Sequence, residues 1–286
     1  MRWRNSRLHT NRIPPLASSS QPFGLISLPQ PRRRGISSDV QPVPDQFYTG
    51  LIAQAYAPLR GSIAPAAPYA RFVRQWGEPA LELGCGHGEP LLELVAAGLD
   101  VTGLDSPADM LDLCRLEADR QGLRVELACQ SMQAMDIGRR FRSIYLAGPT
   151  FQLIVELTDV ALALHRIAGH LTADGHALVP LFTPQPADPA IIGVWREHIR
   201  ADGVTLAVRT VAESYRPVER RVDITLEYRR GPSEAPIELV ERTWPLRWYD
   251  DGEFEALATA AGLIVERTVD HGQFGRSLIL SPACLA

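Results

Sequence analysis

Three observations predict an α/β fold built on a doubly wound, mostly parallel seven-stranded sheet. Strand-like apolar runs alternate with helix-period segments from residue 79 to residue 182. A glycine-rich turn, "GCGHG" at 84–88, separates the first such strand from the first helix. Beyond residue 184 the chain becomes β-rich, and its last two strands read as an antiparallel hairpin that completes the sheet.

The elements follow in order. Strands are expected at "PALEL" (79–83), "LDVTGL" (99–104), "RVELAC" (124–129), "RSIYLA" (142–147) and "HALVPLF" (176–182). Helical patterns lie between them: "EPLLELVAAG", "PADMLDLCRLEADRQG" and "LTDVALALHRIAGHL". In the second, Met110, Leu113, Cys114 and Glu117 follow helical spacing, Leu116 adjoins the apolar face, and Pro107 suits the first turn. Short connections between such units dictate a parallel sheet covered on both faces. After the Pro-rich turn "TPQPADP", a helix is expected over "AIIGVWREHIRADG" (190–203). A small antiparallel β insertion then follows the fifth strand, in "VTLAVRTVAES", "RRVDITLEYRR" and "IELVERTWPLRWY". In the second of these Val222, Ile224, Leu226 and Tyr228 alternate with Asp223, Thr225, Glu227 and Arg229, the period of a half-exposed strand. A helix "DGEFEALATAAG" ending at Gly262 precedes the closing strands "LIVERTVD" and "SLILSPA".

Composition bounds the function. The chain has 286 residues, 45% apolar and 22% charged, as in soluble globular proteins. No apolar run approaches the roughly 18 residues of a spanning helix, so no membrane partner is expected and the location is expected to be cytoplasmic. All 29 basic residues are arginine, which removes Schiff-base, lysine-base and Walker-type chemistry. Cys85, Cys114, Cys129 and Cys284 form no C-x-x-C pair, so free thiols are expected and no metal site.

Residues 1–38 hold seven arginines and no acid. They read as a disordered basic tail or a start-site artefact, with organelle targeting as a transit-like segment the less favoured reading. The rest, 39–286, is expected to form one domain, with a ligand-binding half at 39–183 and a β-rich substrate cover and sheet completion at 184–286. Without the tail the chain holds 22 basic against 33 acidic residues, so no nucleic-acid partner is expected. The oligomeric expectation is a monomer or homodimer.

A glycine-rich turn between a parallel strand and a helix lets a ligand approach bare backbone and free helix-end amides. Asp105 closes the second strand 21 residues after Gly84, near the spacing at which an acid receives ribose hydroxyls. The residues therefore read as the floor of a nucleotide-type site. Glycines after a strand also make plain tight turns.

"LELGCGHG" followed by "VTGLDSPADML" resembles the first two signature motifs of class I S-adenosylmethionine-dependent methyltransferases. The resemblance covers roughly residues 45–183, and the C-terminal "RTWPLRWYDDGEFEALATAAGLIVE" is similar to the small-molecule branch of that superfamily. It implies S-adenosylmethionine as cofactor and methyl transfer to the N, O or C nucleophile of a small molecule by in-line displacement, mainly through positioning. Residue by residue, it implies that Glu82 orients the loop or sits near the methionine amino group, and that Gly84, Gly86 and Gly88 let the cofactor pass. Asp105 would accept from both ribose hydroxyls, and Ser106 and Met110 would border the adenine. Gln130, Ser131 and Met132 would flank the adenine too, with Ala147 and Gly148 under the methionine moiety. Ser131 stands where the family commonly has an acid, and Arg142 where it commonly has Asp.

No catalytic base stands out. His271, Tyr48 and Tyr56 are the candidates, the tyrosines on an N-terminal helix that would close over the cofactor. His87 would line the same pocket. His165, His170 and His176 read as structural. Arg242, Trp244, Arg247, Trp248 and Tyr249 read either as an acceptor wall or as cross-strand packing. Three rival readings stand beside it: a non-catalytic cofactor-binding protein of the same fold, a nucleic-acid methyltransferase, and an NAD-dependent dehydrogenase, which the missing lysine and the G-x-G-x-G spacing disfavour.

Overall fold

The structure, a computed structural model, describes residues 47–60 and 65–283. The expected basic tail at 1–38 and Cys284 lie outside these residues. Helix α1 (Leu51–Arg60) and helix α2 (Ala67–Trp76) precede the sheet. Then β1 (Ala80–Leu83), α3 (Leu91–Ala96), β2 (Val101–Asp105), α4 (Ala108–Gln121) and β3 (Glu126–Cys129) build one half. The other half holds β4 (Phe141–Tyr145), α5 (Leu157–His170), β5 (Leu171–Leu181), α6 (Asp251–Ala260), β10 (Leu263–Asp270) and β11 (Arg276–Pro282). Between β5 and α6 are β6 (Arg196–Ile199), β7 (Thr205–Arg216), β8 (Arg221–Arg230) and β9 (Glu238–Arg247), a separate four-stranded sheet in that order.

The main sheet runs β10-β11-β5-β4-β1-β2-β3. Strands β1 to β5 are parallel, while β10 and β11 are antiparallel to each other and β11 to β5. The order reverses between β1 and β4. Each flanking helix must bury its apolar stripe, and the two faces share this task. Val73, Leu91, Leu94, Leu111 and Cys114 from α2, α3 and α4 cover one face. Val160, Leu164, Ile167, Phe254 and Ala258 from α5 and α6 cover the other. Each such large apolar side chain contributes roughly 1.5–3 kcal/mol by leaving water. A cleft opens where the order reverses, at the carboxyl ends of the strands.

The cover sheet follows the expected alternation. Tyr228 and Leu226 pack with Leu206 and Val208 against Phe47, Leu51, Ile52 and Leu59 of the α1 segment, and Val222 packs with Leu246 and Trp248. The polar face of β8 is laced instead: Glu227 pairs with Arg209 at 2.8 Å, and Asp223 pairs with Arg221 at 2.9 Å and with Arg216.

Two expectations are corrected. The helix expected over 190–203 is instead a short 3₁₀ turn at Pro189–Ile191 followed by β6, whose Arg196–Ile199 pairs antiparallel with Thr205–Val208. Gly193 breaks the helix at φ +81°, and Trp195 lies between the guanidinium groups of Arg209 and Arg229, each 4.6 Å from its ring centroid. Tertiary pairing overrides local propensity there. Leu116 is 67% exposed, because the buried stripe of α4 is Met110, Leu111, Cys114 and Ala118. Among the described residues no helix is long and apolar enough to cross a membrane.

Candidate active site

Strand β1 delivers the chain into the glycine turn. Gly84 sits at φ +72°, and a Cβ there would stand 2.5 Å from Cγ2 of Thr150, so neither the backbone nor the space admits a side chain. Gly86, at φ +55°, gives its amide to Asp105. The Asp105 carboxylate is held by two backbone donors, Gly86 N at 2.6 Å to Oδ2 and Ser106 N at 2.8 Å to Oδ1. A carboxylate fixed in this way is a strong, oriented acceptor for ligand hydroxyls.

The cleft is lined by Gly84, Gly86, Asp105, Ser106, Met110, Gln130, Ser131 and Met132 on the side of β1 to β3. Thr150, Leu153, Ile154, Glu156 and Asp159 line the side leading into α5, Phe47, Tyr48 and Tyr56 come from the α1 segment, and Trp244 and Pro245 from β9. The described lining residues include three carboxylates, Asp105, Glu156 and Asp159, and no basic side chain.

Both ends of the α1 segment are tied to the main domain. Gly50 N donates to Oδ2 of Asp109 at 2.6 Å, and Arg60 pairs with Glu89 at 3.4 Å. Between them Tyr56 packs edge-on against Tyr48 at 5.2 Å and against His87 at 5.6 Å. Burial pushes the hydroxyls of Tyr48 and Tyr56 above their ordinary pKa and lowers that of His87, so all three stay neutral near pH 7. At that pH the tyrosines serve as hydrogen-bonding and packing groups, not as phenolate bases.

Other expected site residues stand elsewhere. Glu82 is fully buried beside the turn and does not line the cleft. Its Oε2 accepts from the Tyr145 hydroxyl at 2.8 Å, and Oε1 has no hydrogen-bond partner. Gly88 does not line the cleft either; a Cβ there would meet Leu92 at 2.8 Å and Cys114 at 2.9 Å, which is close helix packing. Ala147 and Gly148 are half-buried after β4 and outside the lining. His271 is exposed on the β10–β11 turn, 2.9 Å from Ser277 Oγ, outside the lining as well. His170 accepts from Ile137 N and contacts Arg166 O, and His176 stacks on Trp76 with ring centroids 3.4 Å apart. Of the C-terminal aromatic run only Trp244 reaches the cleft; Trp248 stacks on Tyr215 at 5.2 Å and Arg247 bonds Glu253.

Thr150, Glu156 and Asp159 were not singled out from the sequence. Nothing local marks them, since the crossover from β4 to α5 alone brings them to the cleft. Asp159, in the first turn of α5, is half-buried, and its carboxylate has no hydrogen bond or ion pair to another described residue.

The residues present fit S-adenosylmethionine. The glycine turn leaves bare backbone at Gly84 and Gly86 on the cleft wall, and Asp105 offers a fixed acceptor for vicinal hydroxyls.

A family model described as a methyltransferase domain matches residues 80–175. The dTDP-3-amino-3,6-dideoxy-alpha-D-glucopyranose N,N-dimethyltransferase of Streptomyces fradiae is 28% identical over 244 residues, 82% of this chain and 92% of that protein. Among solved structures, the CcbJ methyltransferase of Streptomyces caelestis superposes with a TM-score of 0.67 at 18% identity, covering 84% of this chain and 99% of that one. The sugar N-methyltransferase KedS8 of Streptoalloteichus does so with a TM-score of 0.60 at 18% identity, covering 91% of this chain and 100% of that one. The two structures share the fold.

Proposed function

We propose, for a chain that belongs to the class I S-adenosylmethionine-dependent methyltransferases, that its acceptor is the amino group of a small molecule, an amino sugar by analogy with the Streptomyces fradiae relative. One observation supports this reading: Asp159 and Glu156 line the cleft, Glu156 with Arg221 3.8 Å away, and no basic side chain among the described residues lines it. A cleft of that sign draws in a cationic amine and repels an acidic acceptor.

The cofactor, when bound, supplies a methyl group already activated on a sulfonium. The chain's own residues then have three tasks. The glycine turn and Asp105 orient the cofactor. Tyr48, Tyr56 and Trp244 exclude water from the reacting atoms. Asp159 holds the amine near the methyl, where the lone pair must arrive in line; such orientation is worth several kcal/mol. Once the ammonium has lost its proton to water through the cleft mouth, no resident base is required.

The test is incubation of the full chain with S-adenosylmethionine and paired acceptors that differ only in amino against hydroxyl at one position, read by mass spectrometry. Methyl gain on the amino member alone supports the reading. Methyl gain on the hydroxyl member, or equal gain on both, overturns it.

A further inference from the structure

Glu82 is an unusual carboxyl for its surroundings. It is fully buried, no cation among the described residues lies within ion-pair distance, and the one hydrogen bond of its side chain comes from a neutral hydroxyl, that of Tyr145. The groups around it are few. Tyr145 on β4 donates to it, and Tyr69 on α2 stacks on that ring at 5.4 Å. Asp105 on β2 and Arg60 on α1 act on it electrostatically, and the nearby thiols of Cys85 and Cys114 are themselves neutral, their pKa raised by burial. Arg60 bonds Glu89 instead of Glu82. An isolated buried carboxylate is costly, and the protein relieves that cost by binding a proton. Burial raises this carboxyl to about 8, against the pull of the Tyr145 hydrogen bond.

Glu82 nevertheless stands on β1 two residues before Gly84, which lines the cleft, and it interacts with Asp105, which lines it too. S-adenosylmethionine bears a sulfonium, an ammonium and a carboxylate, a net positive charge. We propose that Glu82 is a protonated carboxyl in the free protein and yields that proton when the cationic cofactor enters, so that cofactor binding and proton release are one event. The released proton comes from the oxygen of Glu82, and the carboxylate left behind attracts the arriving positive charge from beneath the glycine turn. S-adenosylhomocysteine, a neutral thioether, lacks the sulfonium and releases less. Charge exchange at Glu82 thus favours the methyl-bearing cofactor over its spent form. The proposal rests on the cofactor and is independent of the acceptor.

The experiment is calorimetric titration of the full chain at near-neutral pH in two buffers of different ionisation enthalpy. The dependence of the heat on buffer counts protons. The expected result is release on binding S-adenosylmethionine, smaller release with S-adenosylhomocysteine, and no release in Glu82→Gln titrated to saturation, with its preference for S-adenosylmethionine over S-adenosylhomocysteine reduced. A second variant covers misfolding of the first. Tyr145→Phe removes the bond that favours the charged carboxyl, so the pH of half-maximal release moves up. Binding without proton release in the parent chain, or the same release in Glu82→Gln, overturns the proposal. Failure of the parent to bind either ligand overturns the cofactor site itself, a separate outcome.

Discussion

The amide of Gly86 donates to Oδ2 of Asp105 across 2.6 Å, joining the glycine turn after β1 to the end of β2. One carboxylate thereby shapes the turn and faces the cleft. Asp105→Ala removes both roles. Loss of a charge-assisted bond of this kind costs about 1.5–3 kcal/mol, so affinity for S-adenosylmethionine should fall by roughly ten- to a hundred-fold. Titration calorimetry reads it directly, and an unchanged affinity would place the cofactor elsewhere.

Gly84→Ala should damage the same site through space. The new Cβ would lie 2.5 Å from Thr150 Cγ2, in a backbone conformation with φ +72°. The expected cost is roughly 1–3 kcal/mol of stability, with cofactor binding weakened. Adding Thr150→Ser removes the methyl that clashes but not the backbone strain. Thermal melts of the single and double variants should therefore show partial recovery. Full recovery would mean that φ is no constraint.

Asp159→Asn tests the acceptor side. Because the Asp159 carboxylate has no partner among the described residues, its loss should leave the fold intact and affinity for S-adenosylmethionine within about two-fold. With an amine acceptor, kcat/KM should fall about ten-fold, mostly through KM. An equal fall for hydroxyl acceptors would remove charge recognition as the cause.

Stability should carry the signature of Glu82. Its folded value is raised from 4.5 to about 8, so the folded chain holds a proton that the unfolded chain has lost between those values. Stability from this group is therefore complete below the lower value and declines as pH rises through the higher, by an amount of order a few kcal/mol. Glu82→Gln should melt at a higher temperature than the parent on the alkaline side and much closer to it under mildly acidic conditions. Melting curves that differ equally at both ends would exclude a titrating Glu82.

Much of the fold was legible because it is written locally. The apolar runs, the helix-period segments and the alternation of Val222 to Tyr228 each carry their own period. The glycine turn and Asp105 were legible because a tight turn and a strand end are short-range features. The helix expected at 190–203 was not a strand by any local measure. It becomes one because β7 offers it backbone partners and two arginines offer Trp195 a slot. Thr150, Glu156 and Asp159 were invisible for a related reason. Their place at the cleft depends on where the crossover between β4 and α5 lands, and that depends on the packing of the whole domain.

The hydrophobic seam that joins α1 to the cover sheet has a kinetic consequence. Tyr48, Tyr56, Trp244 and Pro245 all line the cleft, and Phe47, Leu51 and Ile52 are joined to Leu206, Val208 and Tyr228 in one apolar cluster. Because one apolar cluster holds them, displacement of the α1 segment is expected to carry β7 and β8 with it, and a bulky acceptor that holds them apart is expected to speed cofactor exchange, as release rates with and without acceptor would show.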